Sequence, residues 1–248
     1  MNVLAVIPAR MGSSRFPGKP MAEINGKPMI GHVYQRVNKC NLLTKTVVAT
    51  CDNVIMDYIQ SIGGQAVMTS DKHERASDRT AEALEILEEM DQLRYDIIVM
   101  VQGDEPMTDP EMIAEALRPI LNDDSIGVVN LVADIESQEE FLDKNCIKVV
   151  IDKESNAMCF SREPIPTQRF SSNIPMKKQV CVIPFRRDFL FQYQDMEPTP
   201  IEVAESVDMM RVLENGFKVR MVPTNFQTSA VDTEQDLIKV RQLMAEEA

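Results

Sequence analysis

The feature that most limits the possible folds of this chain is the alternation of apolar runs with amphipathic segments over its first half. Strand-like runs occur at NVLAVIPA, TKTVVAT, QAVMTS and DIIVMV, and helical patterns separate them. Residues 78–90, for example, place Ala81, Leu84 and Leu87 on one face of a helix. Continuous apolar runs are typical of parallel strands that are covered on both faces. The pattern therefore predicts an α/β fold with a doubly wound, mostly parallel sheet.

The pattern changes from about residue 126. The segment IKVVIDKESNAMCFSR predicts a hairpin that turns at KESN, and QVCVIPF and KVRMVPT each predict one strand. A single helix ended by Gly216 is predicted for PIEVAESVDMMRVLENG. Residues 164–178 are rich in proline and polar residues and predict a loop, and TEQDLIKVRQLM predicts a closing helix with Thr233 and Asp236 as a capping box.

These patterns predict one domain made of unequal parts. A first part of about residues 1–130 contains the parallel sheet, a smaller β-rich lobe covers about residues 131–225, and residues 226–248 return to the core. A chain of 248 residues is long enough to bury this core without metal or disulfide crosslinks.

The composition excludes several classes of partner. With 39 acidic and 26 basic residues the formal net charge is −13, which argues against nucleic acid or an anionic membrane as the main partner. The 5 cysteines are odd in number and have no CxxC spacing, so we expect reduced thiols and a cytoplasmic protein. We expect no signal peptide, because the N-terminus lacks a basic start, and no stretch approaches the ~20 apolar residues that span a bilayer.

A basic, glycine-containing loop follows the first strand, in the stretch IPARMGSSRFPGKP. It contains three cations and two glycines, namely Arg10, Arg15, Lys19, Gly12 and Gly18. The loop has neither the spacing of a Walker A motif nor that of GxGxxG. Because α/β sheets bind ligands at the carboxyl ends of their strands, the loop predicts a site for a small, highly charged anion. The alternative is a solvated basic turn.

Motifs that occur in order along nearly the whole chain resemble those of the 3-deoxy-manno-octulosonate (Kdo) cytidylyltransferases. They are IPARMGSSRFPGKPMAEINGKPMIGHVYQRV, VQGDEPM, KVVID with CFSREPIP, PTPIEVAES with MMRVLENG, and AVDTEQDL. The resemblance implies a sheet of the nucleotide-diphospho-sugar transferase type, with the smaller lobe serving dimerisation and acceptor binding. It also implies a cytoplasmic homodimer that couples CTP to an acidic sugar, for the synthesis of lipopolysaccharide or another cell-surface glycan.

The resemblance assigns roles to residues of the first part, about residues 1–130, as a nucleotide-binding part. The implied nucleotide-binding residues are Ala9, Arg10, Gly12, Ser13, Arg15, Lys19, Ser77 and Asp104. The implied catalytic residues are Arg10, Lys19 and Asp104. In such a reaction an anomeric hydroxyl attacks the α-phosphorus of CTP in line, and catalysis consists mainly of positioning and charge stabilisation.

The resemblance also implies that Asp104 and Asp232 bind Mg²⁺. Magnesium prefers one or two carboxylates together with phosphate oxygens and water, and nucleotidyl transfer needs a cation near the α-phosphate. The alternatives are a turn residue at the end of a strand for Asp104, and for Asp232 an acidic residue favoured by the dipole of the last helix.

The implied acceptor-binding residues are Arg79, Gln102, Gln179, Ile183, Glu202 and Glu205. The alternatives are a surface arginine on a helix for Arg79 and an ordinary strand-end polar group for Gln102. For Glu202 and Glu205 the alternative is a solvated helix face. The His-Leu-Gly-x-Tyr stretch of the family reads QVCVI here, so Gln179 replaces the histidine and Ile183 the tyrosine. Loss of two hydrogen-bonding groups usually indicates a different substrate. The acceptor therefore stays open between Kdo, a modified or longer ulosonate, and another small acid such as a phosphonate.

Two further interpretations stay open at this point. Sugar-1-phosphate nucleotidyltransferases share the sheet and a glycine-rich basic loop but use UTP or dTTP. A nucleotide-sensing protein that has lost its chemistry is a non-enzymatic alternative, which the presence of both Asp104 and Asp232 disfavours.

Overall fold

The computed structural model describes residues 1–13, 15–170, 174–226 and 229–246. The chain divides into two compact units, of which the first comprises residues 1–114 and 227–248 and the second residues 115–226. The expected roles of the two parts in nucleotide and acceptor binding stay predictions.

The first unit alternates strands and helices as predicted. Its strands are β1 (Val3–Ala9), β2 (Glu23–Ile24), β3 (Lys27–Pro28), β4 (Lys45–Thr50), β5 (Ala66–Met68) and β6 (Ile97–Val101). Its helices are α1 (Met29–Val37), α2 (Asn53–Ser61) and α3 (Ala76–Asp91), and α4 (Pro110–Asn122) leads into the second unit.

The sheet of the first unit has the strand order β6-β1-β4-β5, and every pair in it is parallel. The central strand β1 is almost wholly buried, and so is its neighbour β6. Apolar side chains on both faces of these strands are covered, which is why the runs are continuous. The predicted α/β fold with a mostly parallel sheet is confirmed, and the carboxyl end of β1 opens into the basic loop.

The second unit contains β7 (Val129–Asp134), α5 (Gln138–Leu142), β8 (Lys148–Ile151), β9 (Ala157–Ser161), β10 (Lys177–Val180), β11 (Val182–Arg186), α6 (Arg187–Gln194), α7 (Pro200–Glu205), α8 (Asp208–Glu214) and β12 (Arg220–Pro223). Five of these strands form a sheet in the order β12-β7-β10-β8-β9. Only β12 and β7 run parallel, and the other pairs are antiparallel. The predicted hairpin is confirmed as β8 and β9.

The chain returns to the first unit through α9 (Glu234–Glu246). The predicted capping box is present, because the Asp236 amide donates to Thr233 Oγ1 and the Thr233 amide donates to the Asp236 carboxylate. Apolar residues on α9 and just before it pack with residues from early in the chain in one buried cluster, which contains Ile24, Met29, Met107, Val231, Leu237, Val240 and Met244. This packing fixes the chain on either side of Asp232.

Two of the predicted elements are wrong as single elements. The segment QVCVIPF forms two strands, β10 and β11, because the chain bends at Cys181. Residues 182–185 are then all buried, whereas in β10 only Val180 is. The segment from Pro200 forms two helices, α7 and α8, because Ser206 adopts a left-handed conformation with φ of 53°.

Three further predictions concern the loop over residues 164–178, the cysteines and membrane-spanning segments. Part of the predicted loop over residues 164–178 lies outside the described residues. All five cysteines are free thiols. In the part of the chain that the structure describes, no helix has the length and apolar character needed to cross a bilayer.

The left-handed Ser206 gives a test of the break between α7 and α8. Glycine adopts positive φ without steric cost, whereas an L-residue with a Cβ pays roughly 1–2 kcal/mol. We therefore expect S206G to have a free energy of unfolding about 1 kcal/mol higher than S206A, measured by urea denaturation. Both substitutions remove the Ser206 hydroxyl. Equal free energies of unfolding for S206G and S206A would therefore contradict the left-handed conformation at this position.

Candidate active site

The basic loop after β1 is folded back on itself by backbone hydrogen bonds. The carbonyl oxygen of Met11 accepts hydrogen bonds from the amides of Ser13 (3.0 Å) and Gly18 (2.9 Å). Gly18 has φ of 76°, a left-handed conformation that favours glycine, and it leads into a short 3₁₀ turn at Lys19–Met21. At Gly12 the space that a Cβ would occupy is open, so a ligand can approach the backbone there closely.

The loop is held against the sheet by Asp52, which follows β4. The Met11 amide donates to the Asp52 carboxylate at 2.8 Å. Asp52 stands in the N-cap position of α2, but its side chain makes no capping hydrogen bond and bonds to the loop instead. The carboxylate therefore sets where the basic loop begins.

Lys19 brings together two aspartates that are far apart in the sequence. Its ammonium group lies 2.6 Å from a carboxylate oxygen of Asp104 and 3.2 Å from one of Asp232. It also donates to the Val231 carbonyl oxygen at 3.1 Å. The Val231 amide in turn donates to the Asp104 carbonyl oxygen at 2.9 Å, which ties the two aspartate-bearing segments to each other.

Charge and burial together determine the ionisation of Lys19 in this cluster. Burial lowers the pKa of Lys19, but the nearby carboxylates of Asp104 and Asp232 outweigh this effect and leave the pKa raised. The Lys19 ammonium therefore stays charged. Arg15 adds a second cation on Asp232 at 2.9 Å. The carboxylates are partly open to solvent, with side-chain exposures of 18% for Asp104 and 17% for Asp232.

The two aspartates fit the requirements of a magnesium site that is completed by a ligand. They already share one cation, Lys19, and both present carboxylate oxygens to it. No group of three or more His, Cys, Asp or Glu side chains that could hold a metal occurs among the described residues. A site of two carboxylates suits Mg²⁺ only when phosphate oxygens and water supply the remaining ligands.

Arg79 is a buried residue, so the alternative of a surface arginine is wrong. It is 2% exposed. Its guanidinium donates to Thr69 Oγ1, to Cys51 Sγ at 3.6 Å and to the His73 carbonyl oxygen at 3.5 Å. Arg10 donates to the same carbonyl oxygen at 3.3 Å. The two guanidinium groups, one predicted to bind nucleotide and one to bind acceptor, therefore converge on one backbone oxygen.

The remaining predicted residues of the first unit are placed as follows. Ser77 is fully buried near the start of α3. Gln102 follows β6 and is half-buried, and its carbonyl oxygen accepts a hydrogen bond from the Glu105 amide at 3.3 Å. Ala9 is the last residue of β1.

In the second unit, Gln179 and Ile183 lie on separate strands. Gln179, on β10, donates from its side-chain amide to Asn130 Oδ1 at 2.6 Å. Ile183, on β11, is 2% exposed. One of the two is thus engaged by a neighbouring amide, and the other is buried.

Glu202 and Glu205 lie on α7, but they do not form the solvated face offered as their alternative. Glu202 is fully buried and accepts two hydrogen bonds from the Arg211 guanidinium, at 2.7 Å and 2.6 Å. The Arg211 guanidinium also stacks over the Tyr193 ring at 4.5 Å. Glu205 accepts hydrogen bonds from Ser161 Oγ and from the Arg162 amide, both at 2.7 Å.

A sequence model of a family described as cytidylyltransferase matches residues 4–221 of the chain. The chain belongs to this cytidylyltransferase family. It is therefore a nucleotidyltransferase enzyme, and the resemblance in its motifs is confirmed.

Comparison with individual proteins shows which cytidylyltransferases this one resembles. It is 44% identical to the 3-deoxy-manno-octulosonate cytidylyltransferase of Geobacter metallireducens, over 97% of this chain and 96% of the relative. A solved structure of CMP:2-keto-3-deoxy-manno-octonic acid synthetase complexed with CTP superposes with a TM-score of 0.90 at 36% identity, over 100% of both chains.

The structure of a putative glucose-1-phosphate thymidylyltransferase from Bacillus anthracis superposes on this cytidylyltransferase with a TM-score of 0.65. The two chains are 16% identical, and the match covers 98% of this chain and 94% of the other. This likeness shows a shared fold only.

Sequence reasoning did not assign a role to Asp52 or to the Val231 backbone in this cytidylyltransferase. The signal for Asp52 is its position two residues after the end of β4, the parallel neighbour of β1. Carboxyl ends of parallel strands meet at one edge of the sheet, so an aspartate there lies close to the loop after β1. The role of Val231 has no such signal, since it uses only backbone atoms.

The buried ion pair of Glu202 and Arg211 predicts that Glu202 stabilises the fold. A residue that only binds the acceptor would not have this effect on stability. Removing one charge from a buried pair leaves the other without compensation, so E202Q should lower the free energy of unfolding by about 3 kcal/mol. Glu154 pairs with Lys218 at 3.2 Å on the exposed surface. E154Q should therefore lower the free energy of unfolding by less than about 0.5 kcal/mol. Chemical denaturation measures both. An E202Q variant with unchanged stability and a raised KM for the acceptor would favour a ligand role for Glu202.

Proposed function

We propose that this cytidylyltransferase couples CTP to Kdo or a closely related 3-deoxy-ulosonate, giving a CMP-sugar and pyrophosphate. The observation that carries the proposal is the Lys19 cluster, in which two aspartates and two cations meet beside the glycine-containing loop. The names of the relatives support the acceptor class. The product would serve the synthesis of lipopolysaccharide or another cell-surface glycan.

The loop after β1 binds the triphosphate in this proposal. Arg10, Arg15 and Lys19 supply positive charge, and the open space at Gly12 lets a phosphate approach the backbone closely. Holding the phosphates fixes the α-phosphorus for in-line attack by the anomeric hydroxyl of the acceptor, and pyrophosphate leaves from the opposite side.

Asp104 and Asp232 would hold Mg²⁺ when CTP is present. The bound ion would neutralise negative charge that develops on the α-phosphate and on the leaving pyrophosphate. The residues of the chain contribute by keeping the two carboxylates together and by presenting cations to the remaining phosphate oxygens.

A second candidate acceptor is another small acid, such as a phosphonate. Two observations favour it. The side-chain amide of Gln179 already donates a hydrogen bond to Asn130, and Ile183 is aliphatic and buried. Neither offers the imidazole or phenol that the family uses to bind sugar hydroxyls. Arg79 and Gln102 remain candidates for contact with the acceptor, as do Glu202 and Glu205.

We further propose that the enzyme is a cytoplasmic homodimer. The free state of all five cysteines supports a reducing compartment. Exposed apolar side chains in the second unit, such as Met158 (63% exposed) and Val203 (60%), support an interface there. Light scattering after size-exclusion chromatography measures the oligomeric state.

The two carboxylates of the Lys19 cluster give the first test. We expect D104N to lower kcat about a thousandfold, since a group that stabilises charge in the transition state is removed, and D232N to have a similar effect. D57N, which changes an exposed aspartate on α2, is the matched control and should keep normal activity. Activity is measured as pyrophosphate release with CTP and Mg²⁺. Near-normal turnover by D104N would contradict the metal and catalytic assignments.

The acceptor is tested by a panel. With CTP and Mg²⁺, we expect pyrophosphate release with Kdo or a related ulosonate to exceed that with neuraminic-type acids and with simple phosphonates. If Gln179 borders the acceptor, Q179H should raise kcat/KM for Kdo about tenfold, because a hydrogen bond to a sugar hydroxyl is restored. Release only with phosphonates would favour the second candidate. Release with UTP or dTTP and a sugar 1-phosphate would contradict CTP specificity, and no release with any acid would favour a nucleotide sensor.

A further inference from the structure

The hydrogen-bonding capacity of Lys19 is fully used in this structure. An ammonium group has three N–H donors. Lys19 directs them at three acceptors, the carboxylates of Asp104 and Asp232 and the carbonyl oxygen of Val231. In this arrangement Lys19 has no donor left for a phosphate oxygen, so its predicted contact with the triphosphate requires it to give up one of these partners.

Lys19 also occupies the place where a cation is expected. Its ammonium group contacts both carboxylates at 2.6 Å and 3.2 Å, and its side chain is only 13% exposed. A divalent ion bound by the same two aspartates would compete for their oxygens and would be repelled by the ammonium charge at short range. The arrangement therefore disfavours metal binding as long as Lys19 remains between the carboxylates.

The carboxylates in turn depend on Lys19 for their arrangement. Two carboxylates that approach one another repel, and a cation between them removes that cost. Arg15 contributes on Asp232, but its side chain is 47% exposed, so water screens its charge more strongly. Lys19 contacts both aspartates at once and is the less exposed of the two cations.

We propose that Lys19 is a positioning residue that stands in for the metal until nucleotide binds. It holds Asp104 and Asp232 in a shared arrangement, and its transfer to a phosphate oxygen of CTP vacates the cation position. Binding of metal and of nucleotide is then positively coupled, and the coupling is reciprocal. This inference rests on the proposed function, because it takes the two aspartates as the metal ligands.

The direct test is the affinity for Mn²⁺ without nucleotide, measured by electron paramagnetic resonance of the free ion. We expect K19M to bind Mn²⁺ about tenfold more tightly than the unchanged enzyme, because the competing charge has gone. K19R keeps the charge and should stay near the affinity of the unchanged enzyme. R15M is the matched control for loss of a cation, and it should change the affinity by less than about twofold because Arg15 is exposed.

Two further variants keep the result interpretable. K19M/D104N should lose the Mn²⁺ affinity gained by K19M, which places the ion on the carboxylates. Thermal unfolding followed by circular dichroism checks that K19M and the alternative variant K19Q are folded. Mn²⁺ should raise the melting temperature of K19M more than that of the unchanged enzyme, because only in K19M does the ion replace a missing cation.

The nucleotide side is tested by CTP binding in EDTA. Replacing both carboxylates in D104N/D232N should tighten metal-free CTP binding several-fold, since Lys19 is released to bind phosphate. In the K19M background the same pair of changes should tighten it clearly less, and the difference separates release of Lys19 from a general loss of negative charge.

The outcomes separate the two proposals. If K19M and K19Q bind Mn²⁺ no more tightly than the unchanged enzyme, while K19M/D104N still weakens binding, then the stand-in role of Lys19 is wrong and the metal site survives. Equal effects of D104N/D232N on metal-free CTP binding in both backgrounds also overturn the role of Lys19. If no variant binds Mn²⁺, or if K19M/D104N binds it as tightly as K19M, the metal assignment fails and this inference fails with it.

Discussion

The contact of one lysine with two aspartates is the interaction on which the rest of the site depends. Lys19 lies near the end of the basic loop, Asp104 follows β6, and Asp232 precedes α9, so three distant segments meet at one ammonium group. The buried cluster that contains Val231 and Leu237 holds the last segment in place. Apolar packing thus brings the charges together, and their mutual attraction offsets the cost of partial burial.

In the proposed function, the same arrangement allows an acidic enzyme to bind a triphosphate. The formal net charge of −13 repels an anionic ligand at long range, but salt screens this repulsion beyond roughly 8–10 Å. At close range, in the proposed function, the triphosphate meets Arg10, Arg15 and Lys19 on the loop that Asp52 anchors. In the second unit, by contrast, the negative charge of Glu202 is compensated by Arg211 in a buried ion pair.

Much of the fold is predictable from the sequence, because periodicity reports burial directly. The parallel strands of the first unit, the β8 and β9 hairpin and the capping box of α9 all follow from local patterns. The failures have local causes that the patterns do not contain. Cys181 bends the chain between β10 and β11, and Ser206 adopts a left-handed conformation between α7 and α8, although neither is a glycine or proline.

The sequence by itself determined the α/β class, the basic loop after the first strand, the family and the two aspartates as a candidate pair. Only the tertiary structure decided that Lys19 lies between those aspartates, that Arg79 is buried beside Cys51 and Thr69, and that Glu202 pairs with Arg211. The physical reason is that local sequence encodes which side chains are apolar and where turns occur. Which charges meet depends on tertiary packing. Lys19 and Asp232 are 213 residues apart and approach only after the core has formed. Glu202 and Arg211 are close in sequence but lie on two helices whose packing the local pattern does not specify.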